Sequence, residues 1–298
     1  MRLDNQNIST VTISGTTTPV SGIGVNFTIS TYPAGAEGQE LTIISTRTNQ
    51  NGQATTQLRL GNIPAGYGVT AFCPSCVPEA NSVIFTCCGK LKTDDFKQFD
   101  ERWAYDLYNT TSPTYQKTIG QVGCALSSLA TLINYYSQIF PELNIPLTNP
   151  KDLNMKLLPN GFNIYHDVDF ESVSSIRISS GHLMYISTSS LNYALPLTNT
   201  SIEEINNTLV KYLNQNMPII VRVYRSKMVY NSIKGVYERK EWRHFMLVVG
   251  KCGDKFIVSD PGSLTRWTIG VSDIVAIDTA TQDIIGPIDG VRVFSIIR

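Results

Sequence analysis

Thr118-Ile119-Gly120-Gln121-Val122-Gly123-Cys124-Ala125-Leu126-Ser127-Ser128-Leu129-Ala130-Thr131-Leu132-Ile133-Asn134-Tyr135-Tyr136 is the stretch on which the reading of this chain turns. From residue 124 onward the apolar positions 126, 129, 130, 133 and 136 recur at helical spacing, and Gly120 and Gly123 mark a tight loop just ahead of them. The pattern predicts a buried helix with Cys124 at or near its N-terminus. Unpaired amide N–H groups and the helix dipole favour a thiolate there, and the thiolate is the reactive form of cysteine. A cysteine at a helix start can also simply pack, so the position needs a partner before it implies chemistry.

The partner is in the last third of the chain. Trp242-Arg243-His244-Phe245-Met246-Leu247-Val248-Val249-Gly250 reads as a buried strand with His244 near its start. A turn at Gly253-Asp254 follows, then a second strand, Lys255-Phe256-Ile257-Val258-Ser259, ending in Asp260-Pro261-Gly262. Such a hairpin returns residue 260 to the side of residue 244. A thiol attacking a carbonyl needs a base to take its proton, and the base needs a group to fix its tautomer and orientation. Cys124, His244 and Asp260 supply nucleophile, base and orienter in that order, and an order of Cys, His, Asn/Asp with a distant histidine is papain-like.

These segments resemble the C39-like cysteine peptidases, in particular the stand-alone bacterial and phage branch with no attached transporter. The resemblance is carried by Gly123-Cys124-Ala125-Leu126-Ser127-Ser128-Leu129-Ala130, His244-Phe245-Met246-Leu247-Val248-Val249-Gly250 and Ser259-Asp260-Pro261-Gly262. Gln98-Phe99-Asp100-Glu101-Arg102-Trp103-Ala104, Thr118-Ile119-Gly120 and Asn149-Pro150-Lys151-Asp152-Leu153-Asn154 add to it, so it spans about residues 94–262. The resemblance implies a cysteine peptidase that needs no cofactor and has a glutamine donor beside the nucleophile's own N–H in the oxyanion hole. Here the sequence departs from the pattern, because Thr118 stands six residues ahead of Cys124 where that glutamine is usual. The upstream motif favours Gln98, while Gln121 is nearer in sequence, and both stay candidates.

Other features of the second segment support a fold. Ser201-Ile202-Glu203-Glu204 is a capping box ahead of a helix with apolar residues 205, 209, 212 and 213 on one face. Asn149-Pro150 is a helix start with Pro at the first helical position, and residues 218–224 read as a buried strand. His166 and His182 sit among polar and turn residues, which places them at the surface. No metal-ligand spacing is present, so no metal is expected. Cys252, in a turn, reads as a structural or exposed thiol, and Trp242 lines the cleft beside His244 or packs. Helices packed on a mostly antiparallel late sheet make an α+β domain.

The chain of 298 residues is formally neutral, with 24 Lys plus Arg against 24 Asp plus Glu. That argues against a nucleic-acid or anionic-membrane protein held by bulk charge. No apolar run is long enough to span a bilayer, and the start lacks the apolar region of a signal peptide. Residues 1–89 hold 7 charged residues and residues 90–298 hold 41, a contrast that marks two domains, 1–89 and 90–298.

Residues 1–89 carry six short β-branched stretches between turn signals: 9–13, 24–29, 41–44, 54–60, 67–72 and 82–86. This predicts a small β-sandwich, with Asn51-Gly52 as a tight hairpin turn whose two central residues have positive φ. Pro19-Val20-Ser21-Gly22-Ile23-Gly24-Val25-Asn26-Phe27, residues 48–56, Leu60-Gly61-Asn62 and residues 66–71 resemble bacterial Ig-like repeats of the invasin/intimin type. Such modules serve as stalks, spacers or adhesive units. Cys73, Cys76, Cys87 and Cys88 fall on the last two strands, and CxxC plus CC suits disulfides better than tetrahedral zinc, because Cys87 and Cys88 point to opposite faces. Their pairing is left open, and disulfides imply an oxidising compartment.

The reading is therefore an all-β Ig-like sandwich followed by an α+β papain-like cysteine peptidase fold. Its expected substrate is a polypeptide or the peptide part of peptidoglycan, at an extracellular, cell-surface or phage-particle location, with a cell-surface ligand expected for the Ig-like module. The rival reading is an inactive papain-like domain in a binding, adhesion or phage structural protein.

Overall fold

The computed structural model describes residues 8–14, 20–76, 82–109, 116–158, 160–163, 167–173, 177–178, 181–185, 191–192, 195–278 and 282–297. It divides into two compact units. The first comprises residues 1–91 with 214–216 and 250–254, and the second comprises 92–213, 217–249 and 255–298. The chain is mostly β-sheet with few helices.

The first unit is built from antiparallel strands β1 (Ile8–Ser14), β2 (Gly24–Thr31), β3 (Glu40–Leu41), β4 (Ser45–Arg47), β5 (Gln53–Arg59), β6 (Gly66–Phe72) and β7 (Ser82–Lys90). β1, β5 and β3 form one sheet, while β4, β2, β6 and β7 run side by side in another. In β5 buried and exposed residues alternate, as a strand with one face on a core requires. Val25, Phe27, Leu58, Tyr67 and Val69 make up much of that core.

Two local expectations are corrected. The stretch 41–44 is not one strand, since the chain leaves the β5 sheet after Leu41 and joins β2 at Ser45. The buried Thr56 hydroxyl accepts from Ile43 N at 3.2 Å and donates to Ile43 O at 2.7 Å, satisfying the backbone where the chain changes sheets. Asn51-Gly52 likewise does not form a two-residue hairpin, because β4 and β5 belong to different sheets. Gly52 alone of the pair has positive φ, and the Asn49 side chain braces the turn by accepting from the N–H groups of Asn51 and Gln53.

The disulfide framework also differs from the four-cysteine set expected within residues 73–88. Cys73 pairs with Cys76, whereas Cys88 pairs with Cys252 at a sequence separation of 164. Cys252 is therefore not a free thiol. It lies in the first unit with Gly250 and Lys251, which pair with Lys90 and Gly89. The side chains of Cys87 and His182 and the whole of His166 lie outside the described residues.

The second unit opens with a short helix, α1 (Ile119–Val122), where a loop was expected, followed directly by α2 (Cys124–Ile139). Every residue of α2 from Ala125 to Tyr136 is buried, and Tyr136 donates from its hydroxyl to the Phe294 carbonyl at 2.6 Å. A single 3-10 turn at Pro141–Leu143 precedes α3 (Pro150–Leu157), capped by Asn149, whose side chain accepts from Asp152 N. Beyond it lie α4 (Phe170–Val173) and the short strands β8 (Arg177–Ile178), β9 (Gly181–Tyr185) and β10 (Leu191–Asn192). Helix α5 (Asn199–Leu213) starts before the expected Ser201 cap. The Thr198 hydroxyl accepts from Ser201 N instead, so the cap is three residues earlier. Ile205, Leu209, Tyr212 and Leu213 form its buried face, as the spacing requires.

The remaining strands are β11 (Ile219–Asn231), β12 (Val236–Cys252), β13 (Lys255–Ser259), β14 (Thr268–Ile269), β15 (Val275–Asp278), β16 (Asp283–Arg292) and β17 (Phe294–Ile297). β11 and β12 form a long antiparallel hairpin in which Val223 stands opposite His244. β16 pairs with the other edge of β11, β13 with β12, and β17 with β9. Both hairpin strands outrun the expected stretches 218–224 and 242–250. Among the described residues, no helix is long and apolar enough to cross a membrane.

Candidate active site

Cys124 is the first residue of α2, and the close packing ahead of it explains the Gly-Cys dipeptide. A Cβ at Gly123 would lie 2.5 Å from the Ile119 carbonyl oxygen, so any other residue would push the helix start away from α1. Cys124 is partly exposed and forms no disulfide. It borders a cavity of about 670 Å³ shared with Gln98, Gln121, Trp242 and His244.

His244 is 4% exposed and Asp260 is completely buried. Their pairing is short, 2.7 Å from His244 Nε2 to Asp260 Oδ1. The same carboxylate oxygen accepts from Gly262 N at 2.8 Å, and Oδ2 is held by the Arg266 guanidinium. Burial pulls the His244 imidazole down, but hydrogen bonds to Asp260 and Cys124, and the charges of both, outweigh it and push the pKa up to about 9. For Asp260, burial pushes up, and it is outweighed by the His244 hydrogen bond and charge, the Arg266 charge and the Gly262 N–H, which together bring it down to about 2. Nε2 faces Asp260, so Nδ1 is the ring nitrogen left to the cysteine. Both contacts favour the protonated form of the ring.

The segment before Trp103 is tied to the same corner. Gln98 N donates to the Pro261 carbonyl at 3.0 Å, Lys97 Nζ donates to the Asp260 carbonyl at 2.8 Å, and Ser259 Oγ donates to Asp95 at 2.6 Å. Gln98 Nε2 donates to the Gly120 carbonyl at 2.9 Å, which leaves its second N–H uncommitted by that contact. Gln121 is differently engaged, because its side chain accepts from Thr118 N and closes a capping box on α1. Both glutamines reach the cavity. The structure thus brings Cys124, His244, Asp260, Gln98 and Gln121 to one corner of the second unit. Trp242 lines the cavity rather than packing out of reach of it. Among the described residues, no three His, Cys, Asp or Glu side chains group as a metal site would.

Sequence reasoning passed over Arg266 and the part played by Gly262. The first had no signal, because its contact depends on the chain turning back after Ser263. The second was visible in Asp-Pro-Gly, a turn in which the carboxylate bonds the backbone two residues on. A Cβ on Gly262 would stand 2.9 Å from His244 Cε1 and 3.4 Å from Asp260 Oδ1. Gly262→Ala is therefore expected to displace the imidazole and lower kcat about tenfold or more with little change in melting temperature, as steady-state kinetics and thermal unfolding would record. Unaltered kcat would show that the ring has room to yield.

A cysteine at a helix start beside a buried His–Asp pair is an arrangement that suits thiol chemistry. Residues 92–273 match the Peptidase_C39 like family, and the chain belongs to that family. The second unit is accordingly a cysteine peptidase-type domain. A search of curated proteins finds no match.

Proposed function

We propose that the second unit hydrolyses amide bonds in peptides through Cys124, His244 and Asp260. Cys124 Sγ attacks the scissile carbonyl, forming a tetrahedral oxyanion beside its own backbone N–H and the Gln98 amide. The intermediate collapses to a thioester as His244 Nδ1 gives its proton to the departing amine. His244 then takes a proton from water, the hydroxide attacks the thioester, and the acid product leaves with the thiolate restored. Asp260, held by Arg266 and Gly262, keeps the imidazole in the tautomer and orientation that both steps need. Gln98 is the preferred donor because its backbone and side chain are both pinned, to Pro261 and to the Gly120 carbonyl. The observation that carries this reading is the buried 2.7 Å His244–Asp260 contact, with the other ring nitrogen turned to Cys124.

We read the first unit as an Ig-like sandwich acting as spacer or binding module, on the strength of its two antiparallel sheets and shared core. The two disulfides suit an oxidising location, such as a cell surface or phage particle. Substrates there are polypeptides or peptidoglycan peptides. One observation favours the rival reading of an inactive binding fold: Gln98 Oε1 is buried without a hydrogen-bond partner among the described residues, and one of its two Nε2 N–H groups is taken by Gly120. Mass spectrometry of a peptide library and of peptidoglycan peptides incubated with the protein separates the two. Products formed by the native chain and missing with Cys124→Ala support hydrolysis. Identical spectra for both proteins favour the binding fold.

A further inference from the structure

The cavity beside Cys124 has a cationic wall that hydrolysis itself does not use. Arg222, Arg225, Arg243 and Arg292 all line it, and among the described lining residues Asp167 is the sole carboxylate. Two more carboxylates are buried against these guanidinium groups. Asp289 takes Arg222 Nε at 2.9 Å and Arg243 Nε at 2.8 Å, and Asp283 holds Arg225 through both oxygens, at 3.2 and 2.9 Å. Among the described residues, four guanidinium groups thus face three carboxylates along this wall.

One member of the wall, Arg225, shares the strand face of the reacting histidine. Arg225 stands opposite Trp242 in the β11–β12 ladder, with its guanidinium 5.2 Å from the indole ring. Trp242 and His244 share a face of β12, and same-face neighbours on a strand are about 7 Å apart, the span of two residues of an extended peptide. Arg222, Arg225 and Arg243 are fixed by their ion pairs before any ligand arrives. An entering carboxylate would find preset donors and little rotamer entropy left to lose. Taking the peptidase reading as its basis, we propose that this wall binds a carboxylate of the substrate, so that the preferred substrate is a peptide with an acidic group within about two residues of the scissile bond.

The test reads binding rather than turnover. Cys124→Ala protein is titrated calorimetrically with three otherwise identical peptides: a C-terminal amide containing Glu, the same amide with Gln, and the Gln peptide with a free C-terminal carboxylate. The expected result is roughly tenfold tighter binding of one or both anionic peptides over the neutral one, with the advantage shrinking as salt is raised. The two anionic arms tell a side-chain carboxylate from a terminal one. In the Cys124→Ala background, Arg243→Gln and Arg292→Gln should each reduce the preference, and Arg243→Lys should restore part of it, with melting temperatures checked for each. Equal binding of all three peptides, no binding at millimolar concentration, or a preference that survives both glutamine variants would overturn the proposal. The peptidase reading fails separately. If acidic peptides bind but the native protein cleaves none of them and its Cys124 is inert, the anion site stands without catalysis. If the native protein cleaves charged and neutral peptides alike, catalysis stands without the site.

Discussion

His244→Ala is expected to lower kcat/KM by about a thousandfold or more, and Cys124→Ala to lower it at least as far. The loss is expected to fall on kcat because both groups are proposed to act on the reacting atoms, while the rest of the cavity lining is untouched. The double variant should be no slower than the worse single one, since nucleophile and base work as a unit and removing either already abolishes the pair. Steady-state kinetics on any peptide that the native protein cleaves checks this. Losses that multiply in the double variant would mean that the two residues act independently, and the mechanism would be wrong.

The second large effect concerns stability. Asp260 is completely buried and is the common partner of two cationic groups, His244 and Arg266. Asp260→Ala leaves both without their counter-charge in a region closed to water, an uncompensated arrangement that costs about 3–5 kcal/mol. Asp260→Asn keeps the shape and one acceptor and should cost less. The pH dependence has a definite sign for each partner. Asp260 is depressed to about 2, so its contribution is full above the ordinary value near 4 and is lost as pH falls toward 2. His244 is raised to about 9, so its contribution is full below about 6.5 and is lost as pH rises through 9. Denaturant unfolding should show the native protein losing stability at both ends, with the acid limb missing from Asp260→Ala. An Asp260→Ala protein as stable as the native one at pH 7 would mean that water reaches the site.

Local pattern and tertiary contact account for what the sequence could and could not disclose. Helix α2 was legible because a buried amphipathic stretch writes its spacing into residues 126–136. The hairpin returning Asp260 to His244 was legible from two apolar runs and the turn at Gly253-Asp254. Helix α5 was legible in its apolar face but not in its cap, since Thr198 and Ser201 are equally good acceptors for the N–H groups of an N-terminal turn, and backbone geometry chooses between them. The Cys88–Cys252 pairing was hidden, because nothing local couples residues 164 apart. The change of sheet at 42–44 was hidden for a related reason: Thr-Ile-Ile has the composition of a continuous strand, and the Thr56 hydroxyl that diverts it lies in another strand. The arginine wall was equally invisible, since its members come from three strands and converge only in the folded unit. The glutamine ambiguity was a true one, because both side chains reach the cavity and only their hydrogen-bond partners distinguish them.

The central claim is that Cys124 and His244 form a thiolate–imidazolium pair. Its most direct test is the rate of Cys124 alkylation by iodoacetamide across pH, in the native protein and in His244→Ala. The expected result is a native rate that persists well below pH 8 and collapses in the variant, because His244 is the proposed acceptor of the thiol proton. A rate that rises only near the ordinary thiol value of about 8.5, and does so equally in both proteins, would contradict the pair and the peptidase reading with it.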